Sequence, residues 1–247
     1  YEKKSANAQQ STAKQYPNII TVVNETFADI KVLGNFKTNE DYMPYFHSLK
    51  KNCVTGYTYA SIVGGQTANT LGFLSAGTTA FQLYIHGQMP SLVSNLKAEG
   101  YSGNKAMHPF NPYNYNRPAV YKDFGFTDFI DKFDFPKNVK RVREYISDEA
   151  NVDCIISEYE KNRKKTDQPF YMYNMTIQNH SPYDKDAANF KQPIKIESSK
   201  YDAEANRYLN LIKYSDDSLK QLTSYFEKCK EPTIILFLGD HQPRLTD

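Results

Sequence analysis

Three short apolar runs, rich in β-branched and aromatic residues, stand out along a chain that is otherwise mixed in character. Asn18 to Val23 (NIITVV), Pro169 to Ile177 (PFYMYNMTI) and Pro232 to Leu238 (PTIILFL) each have the length and composition of a buried strand. Between them lie segments of helical spacing. Pro90 to Glu99 (PSLVSNLKAE) begins at a proline, repeats its apolar residues at helical intervals and stops at Gly100. Val120 to Phe129 reads as a short helix and turn, Asn138 to Lys161 as a long helix, and Tyr201 to Cys229 as a long amphipathic helix. Residues 101–117, rich in Asn, Pro and Tyr, read as a loop, and so does the polar stretch 184–200. Strands alternating with helices predict an α/β fold, a mostly parallel central sheet sandwiched by helices. Residues 1–16 read as a polar lead-in or linker, and residues 17–247 as one domain without internal repeats.

Composition narrows the function without naming it. Lys and Arg number 30 against 28 Asp and Glu, a formal net charge of +2, so the chain carries neither the basic surplus of a nucleic-acid binder nor a polyacidic tail. The 20 tyrosines are read first as core and rim packing. Cys53, Cys154 and Cys229 are widely spaced, odd in number and outside any CxxC pattern, which predicts three free, mostly buried thiols. No apolar run reaches the length that spans a bilayer; if the parent protein has a membrane anchor, it lies upstream of Tyr1.

The chemistry lies just past the predicted strands. Glu25 follows the first, His180 the second, and Asp240 with His241 the third. Ligands of open α/β sheets bind outside the carboxyl ends of the strands. Each residue alone has an ordinary explanation, a solvated loop carboxylate or a structural imidazole; all of them at one sheet edge point to a metal site. A mixed carboxylate and imidazole set suits Mn²⁺, Mg²⁺ or Zn²⁺, and the absence of a cysteine ligand argues against structural zinc. Thr67, in the Gly-rich run GGQTANT (64–70), is the candidate nucleophile, since glycines let the backbone approach a ligand and a metal can activate a hydroxyl. A plain Gly/Thr turn accounts for the same run. A P-loop does not, because no GK[ST] follows, and the C/S-x-P-x-R motif of sulfatases is missing.

Six blocks in order resemble the catalytic domain of the lipoteichoic acid synthase family, within the alkaline phosphatase and sulfatase superfamily. They are PNIITVVNETFAD (17–29), GGQTANT (64–70), HPFNPYNYNR (108–117), VYKDFGFTDF (120–129), QNHSPY (178–183) and LGDHQP (238–243). The resemblance implies an alkaline phosphatase/sulfatase-like fold and transfer of glycerol phosphate from a phosphatidylglycerol-like lipid through a phospho-threonine. It implies Glu25, Asp240 and His241 as ligands of one divalent cation, Mn²⁺ foremost, with Thr67 as nucleophile and fourth ligand. His180, Arg117, Tyr115 and Asn116 would bind substrate. The implied partners are a phospholipid head group and a polyol or glycolipid acceptor, with no nucleic acid, at the extracellular face of the cell membrane. Tyr115 stands for the family's Trp, Phe110 for an acidic residue of the glycerol pocket, and Leu71 for a Glu in the nucleophile segment. The family usually continues past the point matching Asp247. The rival readings are another superfamily phosphotransferase, phosphodiesterase or sulfatase-like hydrolase, and an inactive binding or sensory domain.

Overall fold

A computed structural model of the chain describes residues 16–58, 87–198 and 203–245. Seven strands are found among them: β1 (Asn18–Asn24), β2 (Ser102–His108), β3 (Asp128–Asp131), β4 (Arg141–Val142), β5 (Tyr145–Ile146), β6 (Phe170–Met175) and β7 (Thr233–Gly239). Five of these build one sheet in the order β3-β2-β6-β1-β7, every pairing parallel, while β4 and β5 form a small antiparallel hairpin. The helices are α1 (Pro44–Ser48), α2 (Leu92–Ala98), α3 (Arg117–Asp123), α4 (Asp148–Arg163) and α5 (Ala203–Phe226).

Side-chain alternation along β6 explains the layering. Tyr171, Tyr173 and Met175 face α2 and α3, where they pack with Val93, Val120, Tyr121 and Phe124. Phe170 and Met172 face the opposite layer, against Val152, Ile155 and Tyr159 of α4 and Leu222 and Phe226 of α5. A parallel sheet covered on both faces needs strands apolar on both sides, and all six β6 residues are buried. Each fully buried side chain of this size contributes on the order of 1.5–3 kcal/mol.

The sheet departs from the sequence reading at three places. Residues 101–117 are not all loop, because Ser102–His108 is the strand β2, paired to both β6 and β3. Its sequence SGNKAMH lacks an apolar run, and its register shifts between Gly103 and Lys105, with Gly103 at φ +79° and Asn104 at +49°. The predicted helix over 138–161 begins only at Asp148; the β4–β5 hairpin occupies its first part. Ser147 starts the helix by accepting from the Ala150 N–H at 3.1 Å, with Asp148 and Glu149 in the first turn. The stretch 120–129 divides into the end of α3 and the start of β3. The thiols also differ from expectation: Cys53 is exposed, and Cys154 and Cys229 are only partly covered.

Register sets up the site. Asn24 pairs with Gly239, so the next residue on each strand, Glu25 and Asp240, leave the sheet side by side. Gly239 is needed because a Cβ there would stand 1.9 Å from the Phe27 carbonyl oxygen, a backbone atom that cannot swing away. Gly239→Ala is therefore expected to destabilise the fold by about 3 kcal/mol or more, read as a drop in denaturation midpoint. An unchanged midpoint would show that the two chain segments do not meet this closely.

Candidate active site

A buried polar frame holds the ends of β1 and β6 against α4 and α5. The Asp148 carboxylate accepts from Asn24 Nδ2 at 2.7 Å and from Ser215 Oγ at 2.6 Å. Asn179 Nδ2 donates to the Glu25 carbonyl (3.0 Å), to Asn24 Oδ1 (3.1 Å) and to Ser215 Oγ (2.8 Å). The Glu25 N–H donates to Thr176 Oγ1 at 3.0 Å. Thr26, in the left-handed region at φ +50°, aims its N–H at Asp240 Oδ1, 2.7 Å away. Strands, helices and side chains thus fix the backbone on both sides of Glu25.

Onto this frame the two strand ends deliver three side chains. Glu25, Asp240 and His241 are 3%, 0% and 7% exposed, and each offers a ligand atom within 4.8 Å of the others. His241 Nε2 lies 3.5 Å from Glu25 Oε1 and 3.4 Å from Asp240 Oδ2. Its Nδ1 is 2.8 Å from the Gln242 carbonyl, a contact in which Nδ1–H donates and which turns Nε2 toward the carboxylates. That Nε2 is buried and has no hydrogen-bond partner. Glu25 is pushed well above the usual carboxylate range, chiefly by burial and next by the charge of Asp240, with Arg117 pulling the other way. Two buried carboxylates this close repel one another unless a cation lies between them. Donor atoms about 2.1 Å from one ion at tetrahedral angles stand about 3.4 Å apart. The three residues therefore fit a divalent cation in chemistry and in spacing. Among the described residues no other cluster of this kind is found.

A buried cation sits beside them. Arg117 is the first residue of α3, and the two residues before it, Tyr115 and Asn116, are both left-handed at φ +57° and +51°, a costly pairing for non-glycine residues. The guanidinium is 3% exposed and lies 5.1 Å from the Tyr115 ring centroid. It donates to the Asn114 carbonyl at 3.2 Å and contacts Met175 Sδ at 3.8 Å, while its Nε has no hydrogen-bond partner. Among the described residues no carboxylate pairs with it, which leaves a buried positive charge suited to an anion. Asn116 itself is exposed.

His180 stands at the rim, exposed, with its Nδ1 2.6 Å from the Ser181 carbonyl and its ring 5.9 Å from Tyr145. It makes no hydrogen bond or ion pair with Glu25, Asp240 or His241. Thr67, with the whole of Gly64–Thr70 and Leu71, lies outside the described residues. One member of the site was not singled out from sequence. His108 ends β2 buried, its Nδ1 3.1 Å from the Met175 carbonyl, and burial first and then Arg117 hold its pKa well below the usual imidazole value. The signal for it was the rule that ligands gather at strand ends, which could not be applied while β2 was unseen.

The frame makes its own prediction. Asn179→Ala removes the amide that fixes the Glu25 carbonyl, and ion affinity should fall about 10–100-fold. Calorimetric titration with Mn²⁺ measures this, and wild-type affinity in the variant would show that the frame does not orient Glu25.

Comparisons with known proteins give the family and the fold. The sulfatase family profile matches residues 17–247, and the chain belongs to the sulfatase family. Within that family it is similar to the lipoteichoic acid synthase of Staphylococcus aureus, 27% identical over 85% of this chain and 31% of that protein. It is also similar to a Rhizobium meliloti protein assigned to cyclic β-1,2-glucan modification, 32% identical over 95% of this chain and 37% of that protein. The solved Streptococcus pyogenes phosphoglycerol transferase GacH, in complex with sn-glycerol-1-phosphate, shares the fold. Its TM-score is 0.77 at 20% identity, over 94% of this chain and 63% of that one. The chain thus spans between 31% and 42% of the length of the curated relatives it matches. No described helix is long and apolar enough to cross a membrane.

Proposed function

We propose that residues 17–247 are the catalytic domain of a metal-dependent phosphotransferase that moves glycerol phosphate from a phosphatidylglycerol-like lipid to a cell-envelope acceptor on the extracellular face of the membrane. The observation that carries this reading is the pairing of a buried three-ligand cluster, Glu25, Asp240 and His241, with the buried Arg117, whose charge acts on Glu25 and which pairs with no carboxylate among the described residues. Such a pairing suits an anionic phosphoryl group held between a cation and a guanidinium. The similarity to a lipoteichoic acid synthase and to a phosphoglycerol transferase supports glycerol phosphate as the group moved. The similarity to a glucan modification protein supports a glycan acceptor.

Glu25, Asp240 and His241 would hold the cation, which when bound supplies Lewis acidity toward a phosphoryl oxygen and lowers the pKa of a hydroxyl nucleophile. Thr67 Oγ attacks phosphorus; a Thr67 O–P bond forms as the bond to diacylglycerol breaks, and the departing alkoxide takes up a proton. Arg117 and His180 hold the charge of the phosphoryl oxygens, and Tyr115 with Asn116 border the glycerol. An acceptor hydroxyl then displaces Thr67. Head-group preference is expected to be broader than for a pocket with an acidic residue at position 110, because Phe110 offers the glycerol hydroxyls no hydrogen bond.

The test supplies Mn²⁺ and phosphatidylglycerol labelled in its head group, beside phosphatidylethanolamine, and follows diacylglycerol release and label transfer. Release from phosphatidylglycerol supports the reading. No release with Mn²⁺ bound would overturn it in favour of a binding domain.

A further inference from the structure

A second concavity adjoins the site. At the carboxyl ends of β2 and β3 the chain leaves the sheet as Pro109–Phe110 and Lys132–Phe133, and the β4–β5 hairpin packs over both. Together they border an open recess of about 380 Å³, lined chiefly by Phe110, Lys132, Phe133, Arg141, Glu144 and Tyr145. This lies within the size range of small-ligand pockets, about 300–1,000 Å³.

Its inner wall is shared with the candidate active site. Phe110 packs on His108 with ring centroids 6.2 Å apart and on Tyr145 at 6.0 Å, and Tyr145 packs on His180 at 5.9 Å. A row of four rings, with His108 and His180 at its ends and Phe110 and Tyr145 between them, therefore forms the wall common to both. The hairpin above them is fixed in place. Arg143, in its turn at φ +55°, donates to the carbonyls of Pro182 (2.7 Å), Gln178 (2.8 Å) and His180 (2.7 Å), which ties the hairpin to the loop carrying His180. A preformed wall of this kind suits binding, since no ordering cost is left for the ligand to offset.

The lining selects the ligand. Lys132 Nζ lies 5.8 Å from the Phe110 centroid and 4.9 Å from that of Phe133, and Phe133 is 71% exposed, an aromatic ring open to solvent at the pocket edge. Arg141 is held by the Glu144 carbonyl, 2.9 Å from its Nη1. An acyl chain here would strip water from Lys132, Arg141 and Glu144 without replacing it. A polyanion would meet the Glu144 carboxylate. A neutral sugar satisfies every group: its C–H faces lie on the rings, and its hydroxyls donate to Glu144 and accept from Lys132 and Arg141.

We propose that this pocket is the acceptor subsite, taking a neutral hexose unit of the acceptor glycan on Phe110, Phe133 and Tyr145, with one hydroxyl directed past His180 toward the phosphoryl group. The proposal rests on the transferase reading for its role but not for the binding itself. In the transfer step the sugar hydroxyl oxygen bonds to phosphorus as the P–Oγ bond of Thr67 breaks, and the sugar proton passes to Thr67 Oγ.

The experiment titrates the chain with two neutral β-linked glucose disaccharides, cellobiose and laminaribiose, by saturation-transfer NMR, with sn-glycerol-1-phosphate and hexanoate as anionic and acyl probes. Disaccharide binding should weaken about tenfold in Phe133→Ala, and also in Glu144→Gln, with the unfolding midpoint kept as the check on folding. Where transfer is measured, the acceptor KM should rise by the same factor. Disaccharide binding absent from the wild type, or equal in both variants, overturns the proposal. Preferential binding of glycerol phosphate that is lost in Lys132→Ala overturns it in favour of an anion site, and preferential hexanoate binding in favour of a lipid groove. Disaccharide binding that obeys the variants, in a protein that releases no diacylglycerol, supports the subsite and sinks the transferase reading alone.

Discussion

Thr67→Ala will abolish diacylglycerol release from phosphatidylglycerol, by on the order of 10³-fold or more, since in the proposed mechanism it removes the covalent nucleophile and closes the route that the rest of the site serves. The neighbouring hydroxyl of Thr70 is three residues away in the chain and is not expected to replace it. Thr67→Ser keeps a primary hydroxyl at the same position and should retain measurable release, which separates loss of the nucleophile from damage to the segment. Exchanging one threonine for alanine costs little stability unless its methyl is packed, so the midpoint of unfolding is measured beside the rate. Fluorescent phosphatidylglycerol with Mn²⁺ is the substrate. Equal release by wild type and Thr67→Ala would remove Thr67 from the mechanism and leave direct attack by water or acceptor as the remaining chemistry.

The parts of this molecule legible in its sequence are those whose physics is local. β1 and β6 could be read because a strand buried on both faces must be a continuous apolar run, as NIITVV and FYMYNM are; TIILFLG of β7 is the same kind of run, although β7 is an edge strand whose Ile234 and Leu236 are exposed. α2 and α5 could be read from apolar periodicity, and α2 from the Pro90–Ser91 start and the Gly100 stop. β2 could not. Its burial comes from neighbours remote in sequence, Tyr171 and Tyr173 on one side and β3 on the other, while its own SGNKAMH is small and polar and carries a bulge at Gly103. The hairpin before α4 was hidden by the helical composition of the residues that follow, although Ser147 with Asp148 and Glu149 marked the true helix start.

The site divides along the same line. Glu25, Asp240 and His241 were legible because each directly follows a legible strand, and the parallel register of β1 with β7 then brings them together. His108 was not, because it ends the strand that could not be seen. Nor was the frame of Asn24, Asp148, Asn179 and Ser215, whose hydrogen-bonded pairs lie up to 155 residues apart and meet only through the fold. The resemblance to lipoteichoic acid synthases supplied Arg117, Tyr115 and Asn116, which residue type and spacing alone would have left as an ordinary loop. The left-handed backbone at Tyr115 and Asn116 and the burial of Arg117 now give that segment a physical reason to differ from one.

Asp240→Asn will raise the stability of the ion-free protein at neutral pH while destroying its response to divalent ions. The sign follows from Glu25, whose folded pKa is raised by burial and then by Asp240. An acid with a raised folded pKa contributes stability below its ordinary value near 4.5 and loses it as pH climbs through the folded value. The ion-free wild type should therefore lose stability as pH rises from about 4.5 toward neutrality. Asparagine at 240 keeps an oxygen that can accept from the Thr26 and His241 N–H groups, now 2.7 and 2.9 Å from Asp240 Oδ1, yet removes the charge that opposes Glu25. Bound ion reverses the pH trend, because its ligands must be deprotonated to hold it. At an ion concentration about 100 times Kd the wild type should gain about 2.7 kcal/mol, with the gain growing as pH rises. In Asp240→Asn the gain should vanish, with Kd weakened more than about 100-fold, beyond what an orienting residue such as Asn179 contributes. Thermal melts with and without Mn²⁺ from pH 5 to pH 8, with calorimetric titration at neutral pH, measure both effects. A variant that keeps the full Mn²⁺ shift, or a wild type that shows none at any pH, would mean that Glu25, Asp240 and His241 do not form a cation site.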